Sequence, residues 1–89
     1  MDLGFKIVIT PTFLEIAKKL YKKDRSIEKK LRHTFEKLKI NPFEGKRIAA
    51  KEQEQRRVWV GDSHRLFYVI NDNGIIPVNL KKKDKHTYR

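Results

Sequence analysis

Arg56-Arg57-Val58-Trp59-Val60-Gly61-Asp62-Ser63-His64-Arg65-Leu66-Phe67-Tyr68-Val69-Ile70 is the stretch on which the fold turns. Arg56 to Val60 is bulky and β-branched and reads as a strand, and Gly61-Asp62-Ser63 reads as a turn. Arg65 to Ile70 is nearly continuous apolar sequence, the mark of a strand covered on both faces, which places it inside a sheet. Asn71-Asp72-Asn73-Gly74 follows as a hairpin turn, because Asn and Gly accept positive φ cheaply. Ile75 to Lys82 is the returning strand, with Pro77 marking an edge or a bulge, since proline cannot donate to a ladder.

Upstream of this antiparallel unit, Phe43 to Gln55 is polar and irregular. Phe5-Lys6-Ile7-Val8-Ile9 alternates large apolar residues and predicts a short N-terminal strand. Thr10-Pro11 is a helix start: a Thr oxygen caps free amides, and proline at the first helical position loses nothing. Phe13, Ile16, Ala17, Leu20 and Tyr21 recur at spacings of three and four, an apolar stripe that runs to about Lys22. Asp24 or Ser26 caps a second helix with the stripe Ile27, Leu31, Thr34, Phe35 and Leu38, and Asn41-Pro42 stops it. Neither helix is apolar enough to stand alone, so both must cover a sheet. The expected fold is α+β, β-α-α-β-β-β, with the N-terminal strand and the two-helix hairpin on one face of a mainly antiparallel four-stranded sheet. A double-stranded-RNA-binding domain would need a C-terminal helix that this order lacks, and a winged helix would need a third helix before its hairpin. With both helices on one side, the opposite sheet face is left for a ligand or a partner.

The chain has 89 residues, enough for a single domain spanning residues 1–89 with a thin core. Charged residues make up 37% against 38% hydrophobic, well above the roughly 25% charge of ordinary soluble domains. There is no cysteine, which removes disulfide scaffolds, thiolate metal sites and cysteine nucleophiles. No apolar run is long enough to span a membrane and the N-terminus lacks secretory-signal character, so the expected location is cytoplasmic. The net charge of +11 is spread through the fold, with 11 basic and 6 acidic residues in 1–45 and 11 and 5 in 46–89. A polyanionic partner follows, nucleic acid before membrane, because no strongly apolar amphipathic helix accompanies the charge.

No glycine-rich phosphate loop and no metal-ligand spacing of histidines is present, so neither a metal nor another cofactor is expected. His33 reads as a surface residue of the second helix and His64 as the end of a turn. His86 stands beside the late lysines and Tyr88, with a pKa range suited to proton transfer. Arg65 enters an otherwise apolar strand, where a charge either pairs with a carboxylate or lies on the open face, and its planar fork suits a phosphate. Arg57 and Trp59 share a face of their strand, a cation beside a stacking platform; Trp59 in the core is the alternative. Lys81-Lys82-Lys83 reads either as a solvated strand end or as a cluster that holds phosphate charge.

Together these features resemble the RelE/ParE toxin superfamily over nearly the whole chain. The likeness rests on the N-terminal strand and helical hairpin, on RRVWVGDSHRLFYVI (56–70), similar to the family's Arg-x-x-x-Gly-Asp-x-x-Arg-x-x-Tyr pattern, and on the basic ending LKKKDKHTYR (80–89) with its late Tyr. Gly61, Asp62, Arg65 and Tyr68 are the strongest matches. The resemblance implies the toxin of a type II toxin-antitoxin system, an endoribonuclease that cleaves messenger RNA in the ribosomal A site without metal, by attack of the ribose 2′-hydroxyl on the adjacent phosphorus. By the same resemblance, Arg65 contacts the scissile phosphate and Tyr88 stacks on the substrate base. Lys82 or Lys83 adds charge stabilisation, Lys51 or Lys46 in the preceding loop acts as base, and His86 acts as acid. Arg56, Arg57, Trp59, Lys46, Lys81 and Lys85 would complete the RNA contacts. The sequence departs from the family where active members carry an Arg near the start of the final motif, since Lys81 to Lys83 offer point charges without bidentate geometry. AAKEQEQ (49–55) lacks the family's common Gly and Tyr. The related ParE branch lacks the nuclease residues and inhibits DNA gyrase, which is the alternative function; a non-catalytic RNA-binding module is a third. A cognate antitoxin is the implied partner.

Overall fold

The computed structural model describes residues 5–48 and 54–83. Two helices, α1 (Pro11–Lys23) and α2 (Ser26–Ile40), precede four strands, β1 (Lys46–Ile48), β2 (Gln55–Val60), β3 (His64–Asn71) and β4 (Gly74–Lys82). The strands form one antiparallel sheet in the order β1-β2-β3-β4, and the fold is α+β as expected.

The helices begin where their caps dictate. Thr10 Oγ1 accepts the Phe13 N–H at 3.1 Å, with Pro11 opening the helix. At the second start the Asp24 carboxylate accepts both the Ser26 N–H (3.0 Å) and the Ser26 hydroxyl (2.6 Å). These hydrogen bonds from Ser26 hold the Asp24 carboxyl below its ordinary pKa. α1 lies over β4 and α2 over β2. Phe13 and Ala17 of α1 and Ile27, Leu31, Thr34 and Leu38 of α2 are buried, meeting Val60, Leu66, Tyr68, Ile75 and Leu80 from the sheet. Both helical stripes therefore follow the spacing in the sequence, and burial of this set is the main stabilising contribution.

Two expectations need correction. Residues 5–9 form no strand: they make a single parallel bridge, Ile7 to Ile75, beside β4. The Val8 N–H donates to the Ile75 carbonyl (2.9 Å) and the Ile75 N–H to the Lys6 carbonyl (2.7 Å), but the Phe5 N–H turns to the Lys39 carbonyl at the end of α2 (3.0 Å). With Thr10 already capping α1, too few residues remain to extend the ladder. The fourth strand is instead Lys46–Ile48, inside the segment read as irregular. Its three residues carry no alternation to detect, and its pairing with Arg57, Arg56 and Gln55 is a tertiary event.

Gly74 shows how tightly the N-terminal segment lies on the sheet. Its φ is +127°, and a Cβ there would run into the Lys6 carbonyl oxygen. Only glycine supplies both the conformation and the space. The hairpin before it is stabilised by an Asx turn, with the Asn73 N–H donating to the Asn71 side-chain oxygen at 2.8 Å.

The β3–β4 ladder contains one irregularity that governs the site. Phe67 pairs with Asn79 and Tyr68 with Pro77, so Val78 is an extra residue on β4. This is the bulge that Pro77 foretold.

Candidate functional site

Residues paired across a ladder share a sheet face. Leu66 pairs with Val58 on one side and Leu80 on the other, and buried Leu66, Tyr68 and Leu80 mark the helix-covered face. The opposite face then carries, strand by strand, Lys46 on β1, Arg57 and Trp59 on β2, Arg65 and Phe67 on β3, and Asn79 and Lys81 on β4. Trp59 is directly opposite Arg65, Arg65 opposite Lys81, and Arg57 opposite both Lys46 and Phe67.

This face joins cations to aromatic rings. The Arg65 guanidinium carbon is 5.9 Å from the Trp59 ring centroid, Lys83 Nζ is 5.7 Å from the same centroid, and Lys81 Nζ is 5.9 Å from that of Phe67. Trp59 is 46% exposed, a platform and not a core residue. Among the described residues no carboxylate lies in salt-bridge range of Arg65, Arg57, Lys46 or Lys81. Arg65 Nε is moreover buried without a hydrogen-bond partner among the described residues. Like charges directly opposed across a ladder are destabilising by roughly 0.2–1 kcal/mol. The sheet holds two such pairs on this face, Lys46 with Arg57 and Arg65 with Lys81, an arrangement that an anion would relieve.

The remaining expected site residues fall elsewhere. Lys82 pairs with His64 on the helix side, so it does not join Arg65. Of the two lysines foreseen beside Arg65 it is Lys83 that lies toward Trp59, with Lys81 directly opposite Arg65, because the extra residue at Val78 reverses the alternation of everything that follows. Arg56, paired with Tyr68, is also on the helix side and is engaged structurally. Its Nη1 donates to the Gly45 carbonyl (3.0 Å), its Nη2 meets Glu54 (2.7 Å), and its guanidinium lies 5.1 Å from the Phe43 centroid. Lys51, Lys85, His86 and Tyr88 lie outside the described residues.

The motif residues that do not face the site support it. The buried Tyr68 hydroxyl donates to the Pro42 carbonyl (2.7 Å) and accepts the Gly45 N–H (3.0 Å), fastening the loop between α2 and β1 to the sheet. Burial pushes its pKa up. Gly61, with φ +65°, turns β2 into β3, a conformation that favours glycine, while the Lys30 side chain packs over it. His64 is buried, with Nδ1 2.8 Å from Ser63 Oγ. Burial first, and then the Lys82 ammonium, lowers its pKa. It takes no part in the open face.

Sequence reading missed a groove beside this face. β1 begins at Lys46, opposite Arg57, so the edge of β2 beyond that point has no strand partner among the described residues. α2 approaches it instead, with Thr34 Oγ1 3.4 Å from the Trp59 carbonyl. The space of about 360 Å³ left between them is lined by Thr34, Lys37, Glu44, Lys46, Arg57 and Trp59, among others.

Among the described residues no helix is long and apolar enough to cross a membrane, and no cluster of His, Asp or Glu suits a metal ion. Comparison with curated proteins and with solved structures gave no significant match. Residues 7–82 match the family described as ParE toxin of type II toxin-antitoxin system, parDE. That span contains both helices, all four strands and every described residue of the cationic face except Lys83. The chain belongs to the ParE toxin family of the RelE/ParE superfamily, toxins of type II toxin-antitoxin systems whose partner is a cognate antitoxin.

Proposed function

We propose that this toxin is an endoribonuclease that receives messenger RNA on the helix-free sheet face, in the ribosomal decoding site. The observation that carries the reading is Arg65, held between Trp59 and Lys81 without a carboxylate partner among the described residues, with Lys83 at the same indole. A guanidinium in this setting is suited to a phosphodiester, and the indole to a base.

In the proposed reaction the ribose 2′-oxygen bonds to the adjacent phosphorus and the bond from phosphorus to the 5′-oxygen breaks. The products are a 2′,3′-cyclic phosphate and a 5′-hydroxyl. A base takes the 2′-hydroxyl proton and an acid delivers one to the departing 5′-oxygen. Arg65, with Lys81 and Lys83, stabilises the extra negative charge of the phosphorane, the contribution such sites depend on most. Lys51 serves as base and His86 as acid, with Tyr88 on the neighbouring base; Lys46, two strands from Arg65, is too distant for the base role. The antitoxin neutralises the toxin by covering the cationic face with an acidic or amphipathic segment.

The matched family carries the ParE name, and resemblance to the ParE branch implies a second reading, inhibition of DNA gyrase by protein binding. Induction in cells followed by mapping of messenger RNA ends separates the two. Codon-phased cuts that disappear in Arg65→Ala are the expected result. Intact messages together with double-strand DNA breaks would establish gyrase as the target, and steeply salt-dependent RNA binding without cuts would establish a binding module.

A further inference from the structure

The groove between α2 and the free edge of β2 has its own chemistry. Lys37 comes from α2, Lys46 from β1 and Arg57 from β2, and all three line one space with the Trp59 indole. None of these cations has a salt-bridge partner among the described residues. Among the described residues the one carboxylate lining the groove is Glu44, and it too makes no salt bridge there. Three cations around one carboxylate make the described lining of the groove net positive, and its volume is at the small end of ligand sites, where a single nucleotide fits.

Trp59 connects this groove to Arg65. The indole contributes to the groove wall and also lies within 6 Å of the Arg65 and Lys83 charges. Lys46 is two strands away from Arg65, on the order of 10 Å at ordinary strand spacing. One phosphate cannot contact both, whereas successive phosphates of one strand can.

We propose that the groove lined by Lys37, Lys46, Arg57 and Glu44 is a second nucleotide subsite, which holds a neighbour of the nucleotide whose phosphate sits at Arg65. This rests on the reading of the open face as an RNA surface. Lys37 and Lys46 take the neighbouring phosphate, Arg57 bridges the two positions, and Glu44 accepts a hydrogen bond from a ribose hydroxyl. The last contact favours RNA over DNA, because only ribose offers the 2′-hydroxyl. The substrate is thus gripped as a single strand that leaves the sheet over the end of β1 toward α2.

The test uses the complete chain and two fluorescent oligoribonucleotides, each with one 2′-methoxy group, on the ribose that would attack the phosphate at Arg65, so that this bond is not cut and the neighbouring ribose keeps its hydroxyl. One is a tetranucleotide and the other a dinucleotide with a single phosphate. Binding is followed by anisotropy over a series of salt concentrations, with circular dichroism to confirm folding. For Lys37→Gln combined with Lys46→Gln, affinity for the tetranucleotide should fall about tenfold or more. Its logarithmic salt slope should shrink by about 0.7, the value for one lost phosphate contact on a single strand. Dinucleotide affinity should stay within about twofold. If the double variant binds the tetranucleotide like the parent while Arg65→Ala loses both ligands, the subsite is refuted and the RNA face survives. If Arg65→Ala also binds both normally, the RNA face fails and the subsite with it.

Discussion

Arg65 of β3 and Lys81 of β4 stand directly opposite each other on the sheet face turned away from the helices. Two cations in register are an electrostatic cost in the free protein. A fold built for stability alone would place a carboxylate at one of these positions. The pair is a prepared seat for negative charge, and its price is visible before any ligand arrives.

Arg65→Ala should therefore separate activity from stability. Removing the guanidinium is expected to slow single-turnover RNA cleavage by about 100-fold or more, the scale of losing one preorganised charge stabiliser. The melting temperature should hold or rise slightly, because the repulsion with Lys81 is relieved. Undiminished cutting would remove Arg65 from the site, and a large drop in melting temperature would make its role structural.

The lysines of β4 should divide by face. Lys81→Ala with Lys83→Ala is expected to weaken RNA binding and slow cleavage at least tenfold, whereas Lys82→Ala should leave both within about twofold. The two cations near Phe67 and Trp59 lie on the face of Arg65, and Lys82 pairs with His64 on the other. Equal losses in the two variants would contradict the register across the bulge.

Tyr68→Phe should destabilise without altering the chemistry. The change leaves the buried Gly45 N–H and the Pro42 carbonyl without the hydroxyl that now serves both. An expected cost of about 1–3 kcal/mol follows from stranding buried polar groups. Urea titration should show the loss, while the folded fraction still cuts RNA. Unchanged stability would mean that the loop is held by other contacts.

His64 should make folding stability depend on pH on the acid side of neutrality. Its folded pKa lies below the ordinary value of about 6.5. Between the two values the unfolded chain binds more protons than the folded one. Stability is then fully present above about pH 6.5 and declines as pH falls through that range. His64→Gln should flatten the profile below about pH 6.5; an identical slope in the variant would assign the dependence to another group.

How far the chain could be read follows from the range of the interactions involved. The caps at Thr10 and Asp24 and the stripes Phe13 to Tyr21 and Ile27 to Leu38 depend on neighbours within one or two turns, so spacing reveals them. The turn at Gly61 and the hairpin at Asn71–Gly74 are equally local. β1 escaped detection because its three residues become a strand only by meeting β2, and residues 5–9 look like a strand yet are drawn off by α1 and by Lys39. The groove beside Trp59 had no signature at all, since Lys37 and Lys46 come from separate elements.

The sequence by itself determined the helices, the central β3, the excess of positive charge and the family signature around Gly61, Asp62, Arg65 and Tyr68. Tertiary structure decided which lysines accompany Arg65. Strict alternation from Ile75 would carry Lys82 to the open face, but the extra residue at Val78 shifts the parity and brings Lys81 and Lys83 there instead. Period-two patterning is a property of a regular strand, whereas a bulge is set by how two strands settle against each other and the core.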